Sequence, residues 1–546
     1  MKKNKLKNKV KPLQNGLVDY SRIDNNIWKT LLAMLVLIPL TIKMHPTDHI
    51  SPIIGDHFEP TGFTIDVFSY YKYALLLLGT SILIMFFLTK MVSKGYTLKQ
   101  DNTNLPLFIF MVLVLLSAIF ADYKHLALIG MYNRYESALA FLCYGFIFLI
   151  AANITYTEKK VTYIIRALYP VAFINTILGL TWFYGTNILD YEAVRKFLTP
   201  STMPLDTLTG YILATLPNPN YVSGIGAVLC CIFVTKAIFD RNLIDKVINL
   251  IFATMSFALI LTSLSTSGFV TIVIALPVLV LFMLKSNTKK NAFITLAIVL
   301  VIFTGTYNVL NAHNERVRYE SIGFFTEMAE KAKAKIEASK PEEIKPEEIE
   351  QEAPPVQEPP AEDPITEEPQ VEEPKVEEAP LVDIATEFNL PASGTTFGSG
   401  RGYIWAETLK LIKQNPIFGY GFDTYPFHFP QNDPNKITGL YTMDVTVDKP
   451  HNFYLGLAYS AGIVTLLAFL SLIFINIYRH FKIYLTGINS ELKYLIATLF
   501  MGWLAFLIQW IFNDSRIGTT FIFWIIFGVS TSLIRGLSQD ENQELP

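Results

Sequence analysis

A long stretch outside the candidate membrane helices, residues 398–462, contains the residue types that could carry out chemistry. Glycines flank Arg401 just before an amphipathic segment, which predicts that Arg401 lies at a helix start. Unpaired N–H groups and the helix dipole favour an anion there. His451 stands at the start of the next apolar run, and a histidine can act as a base near neutral pH. An arginine that could hold a diphosphate and a histidine that could take a proton predict group transfer from a phosphate leaving group.

The local pattern around Arg401 indicates how it is positioned. Ile404, Leu409 and Ile412 recur at helical spacing, which predicts a helix from Arg401. This helix should end before Pro416, because a residue that precedes proline is pushed out of the α region. The glycines of Gly419–Gly421 then predict a turn.

Composition places the chain among polytopic membrane proteins. Of 546 residues, 51% are hydrophobic and 17% charged, and mean hydropathy is +0.36. We predict an all-α polytopic membrane protein with about twelve transmembrane helices and one large loop. The spans are expected near residues 28–44, 71–91, 105–121, 137–153, 161–183, 219–236, 248–264, 268–284, 292–310, 452–477, 493–512 and 517–534.

Charge patterning predicts the orientation. The tail from Met1 to Lys11 carries six lysines and should stay in the cytoplasm, and every loop on that side of the predicted topology is basic. The first apolar run has no cleavage pattern behind it, so it is interpreted as an uncleaved helix. The three cysteines all lie in apolar runs, which argues against a disulfide framework or a cysteine metal site.

The unusual polar residues fall in the predicted outward loops. Arginines on that side oppose the insertion bias and need another reason to be there. These polar residues are His45, Asp48, His49, Asp56 and His57 in the first loop, Arg134 and Glu136 in the second, Asn218 and Asn220 in the third, and Asp514 and Arg516 in the last.

The large loop divides into three parts. Residues 311–340 read as a charged helix, whereas 341–380 hold 15 Asp/Glu among many prolines and predict a disordered spacer. Residues 381–451 form the predicted catalytic loop. The full predicted division is a basic cytoplasmic tail 1–27, spans 1–9 in 28–310, the three loop parts, spans 10–12 in 452–534 and a cytoplasmic tail 535–546.

Together these residues resemble the O-antigen ligase and polymerase superfamily. The resemblance rests on Arg401 with the Tyr403–Ile404–Trp405 helix, the turn from Asn415 to Gly421, and the run from His451 to Leu455 that ends at Gly462. Weaker matches are Gly130–Glu136 with Arg134, and the Asn218–Pro219–Asn220 opening of a span. The resemblance implies a GT-C-like bundle of about twelve spans and one large extracytoplasmic loop.

The resemblance also implies an activity. Family members take a glycan from an undecaprenyl diphosphate carrier and join it to an acceptor without a metal. We therefore expect a metal-independent glycosyltransferase of the cell membrane, with the catalytic loop extracytoplasmic. Its partners would be the lipid-linked glycan, an acceptor glycan, lipid or protein, and the bilayer. We expect no cofactor and no nucleic-acid partner.

One departure from the family pattern concerns a phosphate contact. Where the family often places an arginine after a serine at the outer end of a span, this chain has Ser267–Gly268–Phe269. Arg134 or Arg516 could supply the second positive charge instead.

The site hypothesis assigns a role to each residue. His451 is the predicted base, and Arg401, Arg134 and Arg516 are the predicted diphosphate ligands. The predicted substrate-binding residues are Asn218, Asn220, Glu136, Asn452 and Asp514.

Structural alternatives stand beside these roles. Arg401 could cap a turn, and a backbone carbonyl could satisfy His451. Arg134 could pair with Glu136, and Arg516 with Asp514. Asn218 and Asn220 could serve as turn and helix-start residues. The first-loop histidines and aspartates have zinc-ligand types, but a flexible polar loop is the favoured interpretation.

Three functional classes remain open at this stage. The favoured class is a ligase or polymerase, with protein O-oligosaccharyltransferase as an alternative acceptor choice. The second is a polysaccharide-lipid transporter or flippase, which is less favoured because the candidate spans carry few charges. The third is a wall-interacting scaffold, supported by the acidic spacer alone.

Overall fold

The protein is mostly helical, with one small sheet. The computed structural model describes residues 19–49, 62–208, 210–323, 325–326, 329–330, 333, 400–440, 446–485 and 492–544. The predicted spacer 341–380 and the basic tail 1–11 lie outside these residues. Tertiary contacts divide the chain into two compact units, Met1–Phe324 with Pro391–Pro546, and Phe325–Leu390. The few described residues of the second unit are helical, and the candidate site belongs to the first.

The described helices fall into long apolar segments and short connecting ones. The helices are α1 Ser21–Leu40, α2 Tyr70–Lys94, α3 Asn104–Phe120, α4 Lys124–Ile129, α5 Ala138–Ala152, α6 Glu158–Arg166, α7 Tyr169–Phe183, α8 Glu192–Leu198, α9 Pro219–Phe239, α10 Leu243–Thr262, α11 Thr266–Leu284, α12 Lys289–His313, α13 Arg316–Arg318, α14 Arg401–Gln414, α15 Tyr425–His428, α16 Asn435–Leu440, α17 Phe453–Leu485, α18 Leu492–Gln509 and α19 Thr520–Glu544. Short 3₁₀ turns span Ile188–Asp190 and Leu205–Thr207, and a π-helical turn spans Tyr319–Gly323.

Ten spans are long and apolar enough to cross a membrane within the described ranges, where twelve were predicted. One of them joins α6 and α7. The predicted spans near 105–121 and 137–153 correspond to α3 and α5, which are apolar but shorter, at 17 and 15 residues. The first helix begins at Ser21 rather than near residue 28. Its polar first turn is stabilised because Asp24 pairs with Lys90 of α2, at 2.7 Å.

The centre of the bundle is formed by α9, α18 and α19. Their apolar windows are 94%, 83% and 89% buried, against 17% for α12 at the periphery. Small residues allow the close approach of these helices. A Cβ added to Gly502 of α18 would lie 2.6 Å from the Ile232 side chain of α9.

The predicted flexible first loop contains regular structure instead. Strand β1, His45–His49, pairs antiparallel with β2, Gly62–Asp66, so that His45 lies opposite Asp66. The expectation of an all-α chain and of an irregular loop is therefore wrong here. Pro46 and the polar residues of β1 hide the strand in the sequence, although β2 contains the strand-forming run Phe63–Ile65.

The helix that carries Arg401 is anchored to a break in α17. The helical path of α17 is interrupted at Gly462, where φ is +85°. The turn after α14 fits into this break: Ile463 N–H donates to the Pro416 carbonyl, at 2.7 Å. Tyr420 and Gly421 in turn donate to carbonyls exposed by the break, at 2.9 Å each. The exchange ties α14 to the first turns of α17.

Replacing Gly462 with alanine should destabilise the protein. A Cβ at this position would collide with the Ile417 carbonyl, and φ is in the left-handed region that an L side chain rarely adopts. We expect a loss of about 2 kcal/mol or more in unfolding free energy, measured as a lower thermal midpoint in detergent.

Gly456 provides the matched control, because it lies in the same helix and a Cβ there meets only Pro450, at 3.5 Å. Gly456→Ala should leave the midpoint nearly unchanged. Equal midpoints for the two variants would contradict the proposed anchoring.

Candidate active site

The turn that carries Arg134 and Glu136 is held by two carboxylates. Asn133 and Tyr135 have φ of +61° and +53°, so this turn needs external support. Asp423 accepts from the N–H groups of Met131, at 3.0 Å, and Glu136, at 3.1 Å. Asp66, at the end of β2, accepts from Asn133 N–H at 2.8 Å. The sequence analysis did not find either carboxylate.

Arg134 pairs with Asp448 and not with Glu136, so the local pair considered from sequence is wrong. Its guanidinium donates to the Asp448 carbonyl at 2.7 Å and lies 3.5 Å from the Asp448 carboxylate. Arg134 is 8% exposed. Burial acts to raise the pKa of Asp448, but Arg134 and Lys449 lower it to about 2.

Glu136 is buried without a counter-ion. Neither carboxylate oxygen accepts a hydrogen bond within the described part of the chain. Burial is the main cause that raises its pKa, to about 8, and the Asp423 charge adds to it. Ser515, Arg516 and Lys449 act in the opposite direction but are weaker in sum. Glu136 is therefore a neutral carboxylic acid near pH 7.

His451 is oriented by Asp514. The imidazole Nδ1 lies 3.1 Å from the Asp514 carboxylate. Burial acts to raise the pKa of Asp514, whereas the hydrogen bond and charge of His451 lower it. When Nδ1 carries its proton towards this carboxylate, Nε2 keeps a lone pair, and Nε2 has no hydrogen-bond partner among the residues described.

The backbone before α17 fixes this pair. His451 has φ of +51°, and Phe453 N–H donates to the carbonyls of Trp510 and Asn513, at 2.9 and 3.0 Å. The Asn452 side chain donates to the Ile511 carbonyl at 3.1 Å and accepts from Leu455 N–H at 3.0 Å. Asn452, predicted to bind substrate, is thus used as a helix cap and a tether.

Arg401 begins α14 after Gly400, as the sequence predicts. The buried face of α14 is formed by Tyr403, Ile404, Thr408 and Ile412, whereas Leu409 is 48% exposed and does not belong to it. Trp405 donates to the Pro450 carbonyl at 2.9 Å, which fixes α14 against the segment that precedes His451.

The Arg401 guanidinium is available for a ligand. It makes no hydrogen bond or ion pair with the side chains or backbone that the structure describes. Burial lowers its pKa, and the charges of Asp514 and Tyr221 oppose that effect. Arg401 and His451 therefore share Asp514 as an electrostatic neighbour.

Arg516 lies over an aromatic ring at the same end of the bundle. Its guanidinium carbon is 4.2 Å from the Tyr221 ring centroid, and Nη1 donates to the Asn133 carbonyl at 3.3 Å. The considered pair with Asp514 is not formed, because Asp514 bonds to His451 and lies 3.5 Å from the Tyr221 hydroxyl. Burial acts to lower the pKa of Arg516, but Tyr221 and the nearby carboxylates raise it.

Lys449 is a cation of the site that the sequence analysis missed. It is 8% exposed and its ammonium group lies 5.8 Å from the Tyr221 ring centroid. Burial, with Arg516, lowers its pKa to about 8. The signal was present in the sequence, because an Asp–Lys pair directly precedes Pro450 and His451.

The two asparagines of the third loop have structural roles. The Asn218 side chain accepts from Asn220 N–H at 2.8 Å and caps α9. The Asn220 side chain accepts from Ser265 at 2.6 Å, which joins the starts of α9 and α11.

The Ser267–Gly268 departure has a steric reason. A Cβ at Gly268 would collide with the Ser223 backbone of α9. Gly268 N–H also donates to the Ser223 hydroxyl at 3.0 Å, which holds the start of α11 against α9. An arginine at position 268 would therefore require α9 and α11 to move apart.

Two cavities meet at the Arg134–Asp448 pair. The open cleft, of about 560 Å³, is lined by apolar side chains, among them Ile65, Phe68 and Pro217, and by Arg134 and Arg516. The inner pocket, of about 70 Å³, is lined on its polar side by Arg134, Glu136, Asp423, Lys449, Asp514 and Ser515.

Of the first-loop histidines, the structure describes the side chain of His45 alone. The His45 ring stacks on Tyr70, with centroids 3.4 Å apart. Asp56 and His57 lie outside the described residues, as do the side chains of Asp48 and His49. Over the described ranges, no cluster of three metal-ligating side chains is present.

The fold and the site define a multi-pass helical membrane protein that carries a cluster of buried charges at one end of its bundle. Residues 250–470 match the model of the O-antigen ligase family. The match confirms the resemblance to the O-antigen ligase and polymerase superfamily and supports a ligase- or polymerase-type function in polysaccharide biosynthesis. A comparison with curated proteins finds no match. The matched segment includes Arg401 and His451, whereas Arg134, Asp514 and Arg516 lie outside it.

Glu136→Gln should change how stability depends on pH. The carboxyl pKa is raised from 4.5 to about 8 in the folded state, so the folded protein keeps a proton that the unfolded chain loses. Its contribution is present below about pH 4.5 and is lost as pH rises towards 8, by about 1.4 kcal/mol per pH unit at most. Thermal midpoints from pH 5 to 8 should fall less steeply in the variant.

The exposed carboxylate of Glu192, paired with Lys196 on α8, provides the matched control. Glu192→Gln should keep the wild-type pH slope. If Glu136→Gln also keeps it, the buried neutral acid is ruled out.

Proposed function

We propose that this protein transfers a glycan from an undecaprenyl diphosphate carrier to an acceptor hydroxyl at the outer face of the cytoplasmic membrane. The observation that carries the proposal is the His451–Asp514 pair, whose Nε2 is free of protein partners in the described structure. The same Asp514 charge acts on Arg401, whose guanidinium is likewise unpaired among the described residues. This is the arrangement that a base and a phosphate ligand need when they act on one substrate.

In the proposed step, His451 Nε2 accepts the proton of the acceptor hydroxyl as its oxygen attacks the anomeric carbon. The new bond to the acceptor oxygen forms while the bond from the anomeric carbon to the phosphate oxygen breaks. The electron pair of the broken bond leaves with the diphosphate. Asp514 stabilises the imidazolium that forms, as a carboxylate does beside other catalytic histidines.

Arginines would stabilise the departing diphosphate without a metal. Guanidinium groups form charge-assisted, often bidentate bonds to phosphate oxygens. Arg401 has no competing partner in the described structure, and Arg516 has an unpaired Nε. Arg134 is already bonded to Asp448, so its role would be to border the cleft and contribute its charge. The apolar side chains that line the open cleft, such as Ile65 and Phe68, suit the prenyl chain of the carrier.

The proposed sidedness is supported by the distribution of charge along the helices. At the end of the bundle opposite the site, basic residues such as Lys90, Lys236 and Arg479 lie near the ends of α2, α9 and α17. Short basic loops favour the cytoplasmic side. The site would then lie on the side of the membrane away from the cytoplasm. Nucleotide sugars are absent on that side, so a lipid-linked donor is required.

The acceptor decides between three versions of this activity. A second lipid-linked glycan would make the protein a polymerase, a cell-wall or lipid anchor would make it a ligase, and a protein hydroxyl would make it an O-oligosaccharyltransferase. Purified protein incubated with lipid-linked oligosaccharide separates them, because product appears either as longer lipid-linked chains or on an added acceptor. Absence of transfer to every acceptor class would contradict the proposal.

His451→Ala should lower glycan transfer by about 10² to 10⁴-fold, because the general base is lost. The rate is measured with purified protein and lipid-linked oligosaccharide, and the thermal midpoint verifies folding. His125→Ala, which removes an exposed histidine of α4, should transfer at the wild-type rate. Near wild-type transfer by His451→Ala would exclude it as the base.

Arg401→Ala should lower transfer by about 10²-fold or more, because a positioned charge on the leaving group is lost. Arg401→Lys should recover only part of the rate, since an ammonium cannot reproduce bidentate contacts. Inorganic pyrophosphate should inhibit the wild type and inhibit Arg401→Ala more weakly. Arg22→Ala, at an exposed position on α1, is the control. Equal inhibition of all variants would remove Arg401 from the diphosphate site.

A further inference from the structure

The inner pocket contains a buried cation, Lys449, that forms no ion pair in the described part of the chain, although the charges of Asp448 and Asp514 act on it. Lys449 is 8% exposed, yet its ammonium group forms no hydrogen bond or ion pair over the residues that the structure describes. The ammonium group lies 5.8 Å from the centroid of the Tyr221 ring. A buried ammonium with no partner is costly, so a ligand that supplies an anion would stabilise it.

The carboxylates of the pocket are already engaged elsewhere. Asp423 accepts from two backbone N–H groups of the 131–136 turn. Asp448 is bound to Arg134, and Asp514 to His451. None of the three forms an ion pair with Lys449.

Glu136 does not neutralise Lys449 either. It is 7% exposed, and both its carboxyl oxygens lack hydrogen-bond partners in the described structure. Burial holds it in the neutral form, as shown above. The groups that face it are Ser515 and Arg516 from the segment before α19, Lys449 from the segment before α17, and Asp423.

A further neighbour of Glu136 is Tyr144 of α5, whose hydroxyl is also buried without a partner. Neutral Glu136 can donate one hydrogen bond, and so can the Tyr144 hydroxyl. Among the groups that line the pocket, Lys449 and Arg134 carry positive charge and Ser515 can donate a hydrogen bond, and an oxyanion is bound by groups of these kinds.

We infer that the inner pocket is an oxyanion subsite, in which the Lys449 ammonium, beside the Glu136 carboxyl group, binds a carboxylate or phosphate group of the substrate. The inference rests on the proposed function, since it assigns the group to the glycan donor or acceptor. Two sources share this chemistry: a sugar that carries a carboxylate, and the diphosphate of the carrier.

The size of the pocket favours a single functional group. Its volume of about 70 Å³ is enough for a carboxylate with a few waters, whereas the adjoining cleft of about 560 Å³ has room for larger parts of a substrate. The two cavities share Arg134 and Asp448, so one ligand can extend across both.

The test measures binding of small probes to the purified full chain in detergent at pH 7. The probes are methyl glucuronide, the uncharged methyl glucoside and inorganic pyrophosphate. The binding of each probe is measured by calorimetry and by the shift in the thermal midpoint of the protein. Lys449→Met should weaken the binding of at least one anionic probe by about tenfold or more. Glu136→Gln, which keeps a hydrogen-bond donor, should bind nearly as well as wild type. Lys410→Met, which removes an exposed lysine of α14, is the control.

The outcomes identify the source of the anion. If binding of the glucuronide exceeds that of the glucoside and depends on Lys449, the anion is a sugar carboxylate. If pyrophosphate binding alone depends on Lys449, the anion is the carrier diphosphate. If Lys449→Met and Lys449→Gln both fold and bind every probe as wild type does, the subsite is refuted. It is also refuted if the glucoside and the glucuronide bind equally and the Lys449 variants bind pyrophosphate as wild type does.

This test is independent of transfer. The probes contain no glycan donor, so their binding is measured without any transfer reaction. If the protein transfers no glycan but still binds an anionic probe in a Lys449-dependent way, the proposed function is overturned and the subsite remains. If the protein transfers glycan but probe binding does not depend on Lys449, the subsite is refuted and the proposed function remains.

Discussion

The arrangement of the site depends on the broken helix at Gly462. A transmembrane-length helix normally satisfies its own carbonyl groups, but the break exposes those of Tyr459 and Ser460. The turn after α14 supplies the missing donors and in return offers the Pro416 carbonyl to Ile463. This backbone exchange fixes the amphipathic helix α14 beside the start of α17. Because Arg401 begins one helix and His451 lies two residues before the other, the exchange holds the backbones that carry these two side chains.

Buried charge at this end of the bundle is almost fully paired, and the exceptions are therefore informative. Asp423 and Asp66 support a strained turn, Asp448 pairs with Arg134, and Asp514 orients His451. Each of these contacts offsets the cost of removing a charge from water. Arg401 and Lys449 remain without such a partner in the described structure, while Glu136 avoids the cost by staying neutral. Groups left in that state are characteristic of sites that await a substrate.

Much of the fold could be predicted from sequence because its signals are local. Apolar runs of sufficient length gave the positions of the long helices, and Pro416 with the glycines of 419–421 marked the end of α14. The strands β1 and β2 could not be predicted, since two five-residue segments form a sheet only by pairing with each other across the loop between them. Leu409 has the spacing of a buried residue, yet it faces outwards because the packing of α14 uses Tyr403 and Thr408 instead.

By itself, the sequence determined the residue types of the site, the multi-pass character of the chain and its resemblance to O-antigen ligases, since these follow from composition and from motifs within single segments. Only the tertiary structure decided the partners. Arg134 pairs with Asp448, 314 positions away, and His451 pairs with Asp514, 63 positions away. No local pattern encodes such contacts, because they arise where helices distant in sequence end at the same side of the bundle. Electrostatic pairing depends on the separation of the charged groups in space, which the spacing of the residues in the sequence does not give.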